Sequence, residues 1–162
     1  MAKAVSNTSP LLYLHRIGGL VWLGLLFQEV WIPDAVAEEL KIGRQKGYDV
    51  PEIDGFPWVK RMNPEHIPHE WLASDLGKGE LATLALAMEH RDHVILLDDL
   101  LARRIARAAG LETWGTLRVL LEAKEHRLIE HVAPYVERLA NAGMGLSSEI
   151  RLRILRLADE GS

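Results

Sequence analysis

Oxygen-bearing side chains recur in this sequence just after short apolar runs. Asn7 follows Ala4–Ser6, and Asp98-Asp99 closes the run Val94–Leu97. Glu80 stands at the start of a helical pattern announced by Gly77-Lys78-Gly79, and Glu39 lies three residues past Val36 in a segment opened by Pro33-Asp34. If those runs are neighbouring strands, up to four carboxylates and one amide face a single region. Carboxylates packed together repel and raise one another's pKa. A hard divalent cation relieves that repulsion, and Mg²⁺ and Mn²⁺ prefer oxygen donors. Chemistry at such a centre is water activation and charge stabilisation on a phosphate oxygen.

The elements that must position these residues are legible from period and punctuation. Ser9-Pro10 suits the first turn of a helix, with Ser9 as N-cap, carrying Leu11, Leu12, Leu14 and Ile17 on one side and stopping at Gly18-Gly19. Leu20–Phe27 fits a buried helix. Val30–Ile32 and Trp58–Met62 read as short strands, the first followed by a helix that Gly43 and Gly47 end. Asn63–Leu76 reads as irregular. Leu81, Leu84, Ala85 and Met88 recur at helical spacing. His93–Leu97 is nearly all apolar, as a strand buried on both faces should be. Further helices are predicted over 102–109, 117–126, 134–142 and 147–158, with a strand at Leu111–Trp114. Strands alternating with helices mean right-handed crossovers and a mainly parallel sheet. In such a sheet, ligands bind beyond the carboxyl ends of the strands, where Asn7, Asp98 and Asp99 would stand.

The bulk properties bound what this site can belong to. The 162 residues fill one domain, 1–162, with the last third helical, and leave no room for a second. An apolar fraction of 48% supplies a core. There is no cysteine, which excludes disulfides, thiolate metal sites and cysteine nucleophiles. No apolar run approaches the ~18 residues that span a bilayer, and the N-terminus lacks a signal-peptide pattern, so a cytoplasmic protein with no membrane partner is expected. A net charge of −4 argues against a basic protein that coats nucleic acid, but not against a site that needs clustered carboxylates.

Each candidate has a plainer alternative. Glu80 could be a helix-start carboxylate, Asp99 an N-cap, and Glu39 a solvated helix residue. Arg103 and Arg107 share a helix face and suit RNA phosphate, or equally an ion-paired surface. His66, His69 and Glu70 lack the spacing of a helical zinc site, and Ser9 lacks a nucleophile-elbow context. Gly77-Lys78-Gly79 is neither a Walker loop nor a dinucleotide fingerprint. Trp22, Trp31 and Trp114 stand in apolar runs and read as core rather than as a base-stacking platform.

Taken in order, SNTSPLLYL, IPDAVAEEL, GKGELATLALA, LLDDLLARRIARAAGL and WGTLRVLLEAK resemble the PIN-domain family, most of all its VapC-like branch, over nearly the whole chain. The resemblance implies a three-layer α/β/α, Rossmann-like PIN fold with a mainly parallel sheet of four or five strands. It implies a Mg²⁺- or Mn²⁺-dependent endoribonuclease, acting as the toxin of a toxin–antitoxin pair. The partners implied are an RNA substrate, a cognate antitoxin and a second copy of the chain in a homodimer. Glu39, Glu80, Asp98 and Asp99 match its catalytic acidic positions, and Asn7, Glu80, Asp98 and Asp99 its metal-binding ones. Ser9 and Thr116 match polar positions at the site's edge. Asn7 departs from the pattern, which has aspartate there. An amide keeps a carbonyl oxygen but loses a full charge, so the alternative is a non-catalytic PIN-like binding or regulatory module with weakened metal binding.

Overall fold

Short apolar runs and the amphipathic segments between them resolve into a sheet covered on both faces, in a computed structural model that describes residues 1–161. β1 (Ala4–Ser6) leads to α1 (Thr8–Arg16) and the short α2 (Val21–Leu26), and β2 (Val30–Ile32) leads to α3 (Asp34–Gln45). β3 (Val59–Arg61) precedes α4 (Lys78–Glu89), β4 (Val94–Leu96) precedes α5 (Leu100–Ala108), and β5 (Thr113–Trp114) precedes α6 (Thr116–Glu125). Two further helices follow, α7 (Ala133–Asn141) and α8 (Ser148–Leu157).

The sheet has five strands in the order β3-β2-β1-β4-β5, and every pairing is parallel. Val5 stands opposite both Trp31 of β2 and Ile95 of β4. Strand order turns back between β1 and β4. That is the switch point of a doubly wound sheet, where the crossovers part to opposite faces and leave a crevice.

Successive residues of a strand face opposite ways, and the two cores follow that alternation. Ala4, Val30, Ile32, Val94, Leu96 and Trp114 pack with residues from α1, α2, α3, α6, α7 and α8. Val5, Trp31, Ile95 and Leu97 pack with residues from α4 and α5. A strand buried on both faces has no polar side to show, which is why Val94–Leu97 carries no alternation. The predicted α/β/α arrangement is therefore present, with all five strands parallel. No helix among the described residues is long and apolar enough to cross a membrane.

Three local readings change. α1 begins at Thr8 with Asn7 as its extended N-cap residue, two residues before the predicted Ser9 cap. Gly43 lies inside α3, and the helix closes at Gln45 with Gly47 just beyond its cap, where a φ of +85° suits a residue without Cβ. Asn63–Leu76 contains a 3-10 turn at His69–Ala73. The apolar segment Leu20–Phe27 turns mostly inward: Leu20, Trp22, Leu23 and Phe27 are core, while Val21 and Leu25 stay exposed.

Candidate functional site

At the carboxyl ends of β1 and β4, helix N-termini converge on one region. Asn7 precedes α1, Glu80 lies in the first turn of α4, Asp99 precedes α5, and Asp98 reaches the start of α6. Each helix start carries unpaired N–H groups and the positive end of a dipole. The sequence places an oxygen-bearing side chain at each.

Asn7 is held from both sides. Its N–H donates to the Leu96 carbonyl of β4 at 3.1 Å, and its own carbonyl accepts from Ser6 Oγ at 2.9 Å. The side chain is 5% exposed, and its Oδ1 has no hydrogen-bond partner. A buried amide oxygen left unpaired costs on the order of 1–3 kcal/mol. That is tolerable where a ligand completes it.

Asp98 is the most tightly bound of the carboxylates. Thr116 donates to it twice, from its backbone N–H to Oδ1 and from its hydroxyl to Oδ2, each at 2.7 Å. Ser9 Oγ adds a third bond to Oδ2 at 3.1 Å. Ser9 and Thr116, the two predicted edge residues, therefore fix the rotamer of one predicted metal ligand. Asp99 caps α5, its Oδ2 accepting the Ala102 N–H at 2.9 Å. The plain reading of Asp99 is thus present in the molecule, alongside an exposed carboxylate at the groove.

Glu80 accepts the Gly77 N–H at 3.1 Å, closing the first turn of α4. Burial pushes its carboxyl above the ordinary value of 4.5; the Gly77 bond opposes this, and the negative charges of Asp99 and Glu39 add to it. Those two couplings show that the acidic side chains feel one another. Glu39 itself is anchored. Its carboxylate accepts Thr8 Oγ1 at 2.5 Å and the Gly79 N–H at 3.0 Å, so it ties the start of α1 to the start of α4. A Cβ at Gly79 would fall on the Glu39 carboxylate, which is why that turn needs glycine.

A groove of about 1900 Å³ runs from this end of the sheet towards α8. Asn7, Ser9, Glu80, Asp98 and Asp99 line its acidic end, and Arg103, Arg107 and Gly115 line it too. Glu39 does not line the groove and acts through what it holds. Arg118 lies 4.9 Å over the Trp114 ring at the α6 wall. Sequence reasoning passed over Thr8, Gly79 and Gly115. The first two gave no local signal, because their partner Glu39 is distant in sequence. Among the described residues, no group of three or more His, Asp or Glu side chains is arranged to hold an ion by itself. What the donor set does offer is all oxygen, with one of those oxygens buried and unpaired, which fits Mg²⁺ or Mn²⁺ with water completing the shell.

Residues 3–160 match a family model described as DUF3368, PIN domain. Among solved structures, the chain is similar to a PilT N-terminus domain protein, SSO1118, from the hyperthermophilic archaeon Sulfolobus solfataricus P2, at 16% identity and a TM-score of 0.48, over 90% of this chain and 97% of that one. No curated protein matches significantly.

Proposed function

The chain belongs to the PIN-domain family, and on that premise we propose that it is a Mg²⁺- or Mn²⁺-dependent endoribonuclease, the toxin of a toxin–antitoxin pair. PIN domains are generally nucleases and usually bind divalent metals. The observation that carries the reading is the Asn7 Oδ1 atom, buried without a partner in the groove that Asp98 and Glu80 also line.

A divalent cation bound there would stabilise charge on a phosphate oxygen and lower the pKa of water. Asn7, Asp98 and Glu80 are the residues that would hold it, with Asp99 at the rim. The chain's own part is to keep those oxygens in place. Ser9 and Thr116 lock Asp98, the Gly77 amide locks Glu80, and Glu39 joins the two helices that carry Asn7 and Glu80. Glu39 is accordingly a positioning residue. Burial and the charges of Asp99 and Glu39 hold the Glu80 carboxyl above its ordinary pKa, so a cation at this end would relieve the cost of its charge. An antitoxin partner and a homodimer belong to the same proposal. Val21 and Leu25 of α2 and Leu100 and Leu101 of α5 are among the exposed apolar residues available to them.

A second reading, a PIN-like binding or regulatory module without catalysis, is favoured by two facts. Asp98 spends both oxygens on Ser9 and Thr116, and Asn7 supplies no charge.

Asn7→Asp decides between them. An added charge beside a cation is worth roughly 4 kcal/mol at an effective dielectric of ~20, before desolvation and carboxylate repulsion reduce it. A net gain of about 1–2 kcal/mol is roughly five- to thirtyfold tighter Mn²⁺ binding. Calorimetric Mn²⁺ titration and cleavage of a structured RNA are measured for both proteins. The nuclease reading expects both to rise in Asn7→Asp. If Mn²⁺ binds no better and neither protein cuts RNA, the module reading replaces it.

A further inference from the structure

Arg103 is out of place as a surface residue. It lies in the second turn of α5, and its Nε is buried with no hydrogen-bond partner. None of the ion pairs among the described residues includes it. Other arginines without such a pair, among them Arg104, Arg107 and Arg153, are exposed and hydrated, whereas Arg103 is partly withdrawn from water. A cation in that position carries a desolvation penalty, to which Arg107 adds and which the nearby Asp98 charge offsets only in part. Asp98 is close by but is satisfied by Ser9 and Thr116.

The residue beneath it explains how the site is built. A Cβ on Gly115 would lie 3.1 Å from Arg103 Nη1 and 3.2 Å from Asp98 Oδ1, tighter than ordinary van der Waals contact. Gly115 has φ −93° and ψ 178°, a conformation open to any residue, so its backbone does not call for glycine. The space does. Glycine there leaves room for Arg103 Nη1 and the Asp98 carboxylate to sit close against the chain at the start of α6. Arg103, Asp98 and Gly115 all line the same groove, with Arg107 one helical turn further along it.

The geometry points to Arg103, floored by Gly115, as the seat for a single backbone phosphate of a nucleic-acid strand, placed next to the acidic cluster. The inference rests on the nuclease reading for its choice of ligand. The planar fork of arginine can hold two oxygens of one phosphodiester, which a lysine ammonium cannot do. The phosphate supplies the hydrogen-bonding anion that Arg103 lacks, at a place next to the acidic end of the groove. Arg107, exposed and one turn away, takes the adjoining phosphate more loosely.

The test is binding without chemistry. A fluorescent single-stranded RNA oligonucleotide is titrated by anisotropy in EDTA, at several salt concentrations, against wild type, Arg103→Gln, Arg103→Lys and Gly115→Ala. Arg103→Gln is expected to bind about tenfold more weakly and to lose about one unit of salt slope. Arg103→Lys keeps the slope and loses about threefold, because the charge stays and the fork goes. Gly115→Ala weakens binding in the same sense with an unchanged far-ultraviolet spectrum. Neutralising one linkage of the oligonucleotide as a methylphosphonate weakens wild type and not Arg103→Gln. Binding by Arg103→Gln within twofold of wild type, with the same slope, overturns the seat, and so does a methylphosphonate penalty equal in both proteins. Cleavage in Mn²⁺ is scored separately. A wild type that cuts RNA while Arg103→Gln keeps its KM and kcat loses the seat and keeps the nuclease. A wild type that never cuts but binds RNA through Arg103 loses the nuclease and keeps the seat.

Discussion

The two ends of the sheet hold the same kind of anomaly and treat it differently. At the carboxyl end, Asn7 is buried with an unpaired Oδ1. At the opposite end, His93 just before β4 is buried with an unpaired Nε2. His93 is sealed: its ring lies 4.3 Å from Trp31 and 5.4 Å from His90, and its Nδ1 meets Asp92 Oδ1 at 2.9 Å. With Nδ1 donating, Nε2 keeps a lone pair against aromatic neighbours, a mild loss beside a stack that stabilises. Asn7 instead lines an open groove beside Asp98 and Glu80. An unpaired buried atom is therefore not itself a sign of a site. The neighbouring space and the chemistry of the other donors decide.

The comparison breaks most easily at Asp98. Asp98→Asn removes the charge and turns one of the two accepting oxygens into a donor, so on the nuclease reading RNA cleavage is expected to fall by about 10²-fold or more. Activity within threefold of wild type would leave Asp98 as a helix cap only. Stability is held elsewhere. Glu160 accepts the Val132 and Ala133 amides at 2.7 and 3.0 Å and pairs with Lys124 at 2.9 Å, joining the chain after α8 to α6 and the start of α7. Burial pushes its carboxyl up, but those amides and Lys124 outweigh burial and hold it below 4.5. Glu160→Ala is expected to lose about 2 kcal/mol, or roughly 4–8 °C in Tm. A depressed folded pKa stabilises above the unfolded value and is lost as pH falls through the folded one. The difference from wild type should thus be full at neutral pH and shrink below about pH 4; a pH-independent difference in melting scans would contradict the ion pair.

Glu80 has the opposite sign. Its folded pKa is raised, so the folded state binds the proton more tightly, and stability falls as pH rises from 4.5 through the folded value. Metal-free Glu80→Gln should melt about 1–2 °C higher than wild type at pH 7 and match it at acid pH. A lower Tm at pH 7 would show that the Gly77 bond, not burial with repulsion, dominates there. The smallest effect belongs to the sealed end. His93→Phe keeps the aromatic contact and removes the unpaired nitrogen, so stability moves by less than about 1 kcal/mol. Mn²⁺ affinity should not change; if it does, the two ends are coupled through the sheet.

Much of this molecule is written locally. The run Val94–Leu97 can only be a doubly covered strand, and the acidic residues after it can only stand at the strand's carboxyl end. Pro33, Gly110 and Asp99 mark helix boundaries through backbone rules that operate within a few residues. Asn7, Glu80 and Asp98 could be placed at one end of the sheet in advance for the same reason: period and punctuation set where they stand, and parallel topology brings their ends together. Other facts depend on pairs far apart in sequence. Ser9 and Thr116 meet at Asp98, Thr8 and Gly79 meet at Glu39, and Arg103 lies over Gly115. No local pattern reports these contacts, because side-chain burial and reach are set by the packing of whole helices against the sheet. The sequence by itself determined the elements, their order and the oxygen-rich character of one end. Only the tertiary structure decided which oxygens are already spent on the chain and which guanidinium nitrogen is buried without a partner, since hydrogen-bond satisfaction is a property of assembled neighbours and not of the residues that supply them.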